Sequence, residues 1–205
     1  MSRPFRVWLA LLPALLLCAC ATTPPPEKQD FSGNVWRLHA DKVVSLDNWF
    51  LKGRIALRTE ADSWSATLHW RQNTDDFRLR VIAPLGQGTI ELSGSYGNTI
   101  TLVDSDNRRY TADNAESLMR ERLGWSVPVE ALAYWARGLP ARGGDISAAE
   151  PDTEGRLRYL EQMGWQLEIA DYTEALGRTL PRKLTVHNDT VEVRLVVQSW
   201  EQPDA

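Results

Sequence analysis

WSATLHWRQNTDDFRLRVIA, residues 64–83, carries the clearest secondary-structure pattern in the chain. In its first half Trp64, Ala66, Leu68 and Trp70 alternate with Ser65, Thr67, His69 and Arg71. In its second half Phe77, Leu79, Val81 and Ala83 stand at every other position, with Arg78 and Arg80 between them. A period of two puts all the apolar side chains of an extended strand on one face. Asp75-Asp76, between the halves, suits a turn. The stretch therefore predicts an antiparallel hairpin with one oily and one wet face.

The same spacing recurs on both sides of it. Strands are expected at 50–58, 89–93, 98–104 and 108–111, then at 145–149, 156–162, 165–169, 184–186 and 191–197, about 11 in all with the hairpin. Gly94, Gly97 and Asp106-Asn107 break the chain where short hairpin turns are needed. The spacing leaves no room for repeated crossover helices, so the sheet is read as antiparallel and curved, a barrel or a sandwich. Helices must then cover whatever apolar face the sheet leaves open.

Three helices are expected. One runs over 34–49 on Trp36, Ala40, Val43 and Leu46 or Asp47. A second follows Asp113, read as an N-cap with Glu116 as its capping-box partner, and closes at Gly124. The third begins near Pro128, carries Leu132, Trp135 and Ala136, and stops at Gly138 and Pro140.

The first 30 residues follow another logic. Arg3 and Arg6 precede an apolar run from Val7 to Leu17, and small Ala19 precedes Cys20. This is the layout of a secretory leader, and it resembles a bacterial lipobox with Cys20 as the acylated first residue of the mature chain. The run is shorter than the ~20 residues needed to span a bilayer. Cys18 fits less well, because bulky Leu17 would occupy its cleavage position. Ala21 stands where an Asp marks inner-membrane retention in such lipoproteins, which favours the outer membrane. The expected organisation is a signal peptide at 1–19, an acylated Cys and flexible tether at 20–30, and one domain at 31–205.

The formal charge is −4, and removal of Arg3 and Arg6 with the leader makes it more negative. A general nucleic-acid binder would carry a basic footprint instead. With Cys18 removed and Cys20 acylated, no cysteine remains for a disulfide, so apolar packing must supply stability. The nine Trp residues suit either a filled core or the mouth of a cavity.

The usual catalytic signatures are missing. His39, His69 and His187 are the only imidazoles, and their spacing does not suit a metal site. Gly86-Gln87-Gly88 lacks the helix and Lys of a phosphate-cradling loop. The chain reads as a binding protein rather than an enzyme, with no cofactor or metal. Between two expected strands, Pro84-Leu85-Gly86 leaves the sheet, and Leu85 either folds back as a local cap or projects into solvent.

Pro84-Leu85-Gly86, the segment 109–116 (RYTADNAE), Trp135 followed by Gly138-Leu139-Pro140, and the closing Trp200 occur in an order and spacing that resembles a known family. It is the LolB family, outer-membrane lipoprotein receptors of the lipoprotein-localisation pathway. The resemblance implies an unclosed antiparallel β-barrel of 11 strands with helices covering an apolar cavity. It implies a monomer that accepts acylated lipoprotein cargo from a soluble periplasmic carrier and inserts it into the inner leaflet of the outer membrane. The protein itself would be anchored there by an N-acyl-S-diacylglyceryl modification at Cys20.

The resemblance also implies site residues. Pro84, Leu85 and Gly86 match a membrane-delivery loop, with Leu85 its exposed apolar tip and Ala83 replacing an Asn of the family pattern. Trp64, Leu68, Trp70, Phe77, Leu79 and Val81 are candidate cavity walls, and Leu118, Met119, Leu132 and Trp135 candidate lid residues. For each of these ordinary core packing remains an alternative. Arg71, Arg78 and Arg80 either meet an acidic carrier or form a solvated strand face. Two other functions stay open at this point: a lipid-anchored module for a different amphiphile, and a structural lipoprotein whose Trp residues fill a core.

Overall fold

The computed structural model describes residues 33–86 and 88–203. The expected leader at 1–19, Cys20 and the tether at 20–30 lie outside the described residues.

The chain opens with helix α1 (Asn34–Val44) and then makes six strands in succession: β1 (Asn48–Thr59), β2 (Ser63–Asn73), β3 (Asp76–Ile82), β4 (Thr89–Ser95), β5 (Ile100–Val103) and β6 (Arg109–Ala112). Helices α2 (Ala115–Leu123) and α3 (Val129–Trp135) follow. Five more strands complete the chain: β7 (Ile146–Pro151), β8 (Leu157–Gln162), β9 (Trp165–Ala175), β10 (Arg178–His187) and β11 (Val191–Glu201). All 11 belong to one antiparallel sheet in the order β6-β5-β4-β3-β2-β1-β11-β10-β9-β8-β7. Two meanders thus meet where β1 pairs with β11. The edges β6 and β7 do not pair, so the sheet is not closed into a barrel.

The chain segment that joins the two edges is the one that carries α2 and α3. A connection from one edge of a curved sheet to the other can cross its concave face. Residues of both helices do pack against the apolar face of the strands. At the centre, β1 shifts register against β11 between Lys52 and Gly53. A Cβ on Gly53 would lie 2.7 Å from the Val196 carbonyl oxygen, so only glycine admits this close approach at the bulge.

Apolar packing falls into two clusters. One gathers α1, the centre of the sheet, α3 and the second meander around Trp49, Trp70, Trp135 and Trp200. Trp49 sits with its ring centroid 5.0 Å from that of Trp70 and 5.2 Å from that of Trp200. The other joins β3, β4 and β5 to α2 through Phe77, Leu92, Leu102, Leu118 and Met119.

The first helix is shorter than its spacing predicts. It ends at Val44, and Leu46 N–H turns back to the Val43 carbonyl at 3.0 Å. Leu46 and Trp49 share the helix's apolar face by number, but Trp49 is a strand residue buried between two other indoles. Strands β9 and β10 are longer than expected. They meet at Leu176-Gly177, both with positive φ, and Pro181 sits at a register shift of β10 where no ladder N–H is required.

Candidate functional site

Between the two apolar clusters lies a cavity of about 100 Å³. Every residue that lines it is apolar. Cross-strand register explains why. Trp70, Leu79, Leu92 and Leu102 stand opposite one another in a row across β2–β5, and Leu68, Val81 and Ile90 form the next row. Val186, Val193, Leu57 and Trp64 make a third row across β10, β11, β1 and β2. Because side chains alternate faces, residues in register share the concave side.

The helices supply the opposite wall. Met119 and Leu123 come from α2, Trp125 and Val127 from the linker, Val129, Leu132 and Ala136 from α3 and its end. Of the ten residues expected in the walls or lid, seven line the cavity: Trp64, Leu68, Trp70, Leu79, Val81, Met119 and Leu132. Phe77, Leu118 and Trp135 do not. Phe77 is stacked on Tyr96 with centroids 5.0 Å apart, Leu118 is packed into the second cluster, and Trp135 lies against Trp165 at 6.4 Å. Not expected from sequence were Ile55 and Leu57 of β1 and the C-terminal contribution of Leu184, Val186, Val193 and Leu195. Their signal was present as alternation, but alternation does not say which strands face one another across a fold.

Buried polar contacts fix the lid's second half. Trp135 Nε1 donates to Gln162 Oε1 at 3.1 Å, and the same side chain receives Ala141 N–H at 2.9 Å and donates to the Ala141 carbonyl at 3.0 Å. The buried Arg137 guanidinium donates to the carbonyls of Leu46 at 2.7 Å and Ala133 at 3.0 Å. Burial lowers its pKa from the ordinary arginine value, while the neighbouring Tyr134 opposes that shift. The first half is tied differently. Asn114, not Asp113, is the N-cap of α2, its side chain accepting Ser117 N–H at 2.8 Å. Glu116 does not return to that cap; its Oε1 accepts the Val129 N–H at 3.1 Å and joins α2 to the start of α3.

The Pro84–Gly86 turn connects β3 to β4, and the Ala83 N–H closes it on the Gly88 carbonyl at 3.0 Å. Leu85 at its tip is 98% exposed and has φ 56° and ψ 24°. A left-handed backbone costs an L-residue roughly 1–2 kcal/mol. The turn thus holds an apolar side chain away from the protein in a conformation that leucine disfavours. Arg78 and Arg80 below it share Glu91, at 3.5 and 3.4 Å. Antiparallel pairing puts this loop at the same end of the sheet as the β1–β2 turn and the β10–β11 turn.

The arrangement can shelter a slender apolar group, and the cavity holds no acid, base or nucleophile that could act on one. Among the described residues no group of three His, Cys, Asp or Glu side chains could hold a metal ion.

Comparison with known proteins agrees with this architecture. The sequence is 37% identical over 197 residues to the outer-membrane lipoprotein LolB of Chromohalobacter salexigens, covering 96% of this chain and 90% of the relative. It is 38% identical over 188 residues to that of Pseudomonas putida, covering 91% of each. Among solved structures, a LolA superfamily protein from Nitrosomonas europaea shares the fold with a TM-score of 0.55 at 8% identity, over 83% of this chain and 93% of that one. The family described as outer membrane lipoprotein LolB matches residues 47–200, from the start of β1 to the end of β11, and the chain belongs to that family.

Proposed function

We propose that this protein is a membrane-anchored acceptor for acylated lipoproteins, which it takes from a soluble periplasmic carrier and inserts into the inner leaflet of the outer membrane. The observation that carries this reading is the wholly apolar cavity between sheet and helices in a chain of the LolB family. At roughly 0.8 kcal/mol per CH₂, a ~16-carbon acyl chain represents on the order of 12 kcal/mol of gross transfer energy. Passing the chain from one cavity to another avoids exposing it to water. Direction then comes from differences in free energy among carrier, acceptor and bilayer.

The other assignments follow from this role. Cys20, N-acylated and S-diacylglycerylated, holds the protein at the periplasmic side of the outer membrane, and residues 20–30 give it reach. Pro84, Leu85 and Gly86 form the loop that engages the bilayer at delivery; the near-complete exposure of Leu85 supports this, since entry into lipid removes it from water.

A two-stage assay with purified carrier loaded with a lipoprotein tests the proposal. Leu85→Glu is expected to accept cargo normally but to deliver it to liposomes at least tenfold more slowly, because a carboxylate is costly to bury in a bilayer. Normal delivery by this variant would remove the loop from the mechanism. Failure of the wild-type protein to accept cargo would overturn the assignment as a whole.

A further inference from the structure

A second concavity meets the apolar cavity at the end of the sheet that carries Leu85. Thr59 of the β1–β2 turn, Arg120 near the end of α2, Trp125 of the linker, Trp165 at the start of β9 and Asn188 of the β10–β11 turn bound it. Its volume is about 510 Å³. It is therefore larger than the cavity behind it. Trp125 and Val127 line both spaces, and on the cavity side Trp125 faces Trp64 with ring centroids 6.0 Å apart. A molecule that occupies both spaces would contact Trp125 and Val127.

The polar groups of this cleft have a common character. Arg120 uses one N–H on Ser126 Oγ at 3.2 Å, out of the five that a guanidinium carries. Asn188 Oδ1 is engaged by Val191 N–H and Thr190 N–H, both at 2.9 Å, which leaves its amide NH₂ as the free end. The indole N–H groups of Trp125 and Trp165 have no acceptor among the described residues. Of the two carboxylates, Glu116 is engaged by the Val129 N–H, and Glu60 lies on the outer turn. Arg120, Asn188, Trp125 and Trp165 thus bring uncommitted donors to the cleft.

An acylated cysteine presents the complementary pattern. Within a few bonds it changes from hydrocarbon to ester and amide carbonyls, which only accept hydrogen bonds, and then to peptide. We infer that this cleft binds the ester-and-amide junction of an acylated cysteine while its acyl chains occupy the cavity behind Trp125. The inference rests on the reading of the cavity as an acyl-chain site. It makes the protein selective for lipidated chains over bare hydrocarbon or fatty alcohols, because only the former fill both spaces.

The test uses the mature chain, residues 20–205, kept soluble by Cys20→Ala, and two probes. One is diphenylhexatriene, an apolar rod without a polar end; the other is a synthetic N-acylated dipalmitoylglyceryl-cysteinyl peptide. Arg120→Ala is expected to weaken the lipopeptide about tenfold, the value of one lost charged hydrogen bond, and to leave the dye within about twofold. Arg120→Lys, which keeps a cationic donor, is expected to stay within about threefold of wild type for both probes. Trp125→Phe, which keeps the ring and removes the N–H, is expected to weaken the lipopeptide about threefold. Equal loss of both probes in Arg120→Ala, or no loss of the lipopeptide in either that variant or Trp125→Phe, would overturn the inference while leaving the acyl cavity intact. Failure of the wild-type chain to bind either probe would overturn the cavity reading and this inference with it.

Discussion

Leu85 couples backbone strain to exposure in a single residue. Its left-handed φ is one that Asn adopts more readily than Leu, and its side chain contributes almost nothing to the protein's own packing. Leu85→Asn should therefore keep the turn and leave thermal stability unchanged or raised by up to about 1 kcal/mol, as measured by denaturant or thermal unfolding. The same variant should still lose delivery in the transfer assay. A clear drop in stability would mean that Leu85 packs locally, the cap reading that its sequence context also allowed. Pro84 and Gly86 marked the turn from sequence alone, whereas the direction of the side chain depended on how the turn sits on β2 and β3.

At the scale of elements, the covering helices show how a capping pattern can be read one residue out of place. Asp113 with Glu116 fits the capping box in spacing, but Asn114 takes the cap because its extended backbone places its oxygen 2.8 Å from Ser117 N–H. Asn114→Ala should cost about 1 kcal/mol, and Asp113→Ala less than about 0.5 kcal/mol, in equilibrium unfolding. Equal costs would return the cap to Asp113. Glu116 could not be placed from local spacing, since its partner is the backbone of the next helix. The strands were more legible than the helices. Alternation located β1 to β6 within a few residues, but it missed the far ends of β9 and β10, where Asp171, Glu174 and Pro181 interrupt the pattern. There the partners in the sheet, rather than the chain's own periodicity, extend the strands.

On the scale of the whole molecule, the cavity lies between two apolar clusters under the unclosed sheet. A side chain grown into that gap tests it directly. Val81→Phe should fill part of the cavity and weaken an acyl-chain probe at least tenfold in a fluorescence titration, with stability unchanged within about 1 kcal/mol because the added ring enters open space. Phe77→Ala, two periods away from Val81 on the same face of β3, should do the reverse: lose about 3–5 kcal/mol of stability and leave probe affinity near wild type in the folded fraction. That strands with one apolar face dominate, that they pair antiparallel, and where the chain breaks for turns and helices were all legible in the amino-acid order. These are local properties, written in a period of two and in the conformational preferences of Gly, Pro and Asp. It took the packed fold to place Phe77 in a core while Leu79 and Val81 face a void, and to bring strands more than 100 residues apart into one wall. Alternation states which face a residue takes, but its depth within a curved sheet depends on the strands and helices that come to lie opposite it.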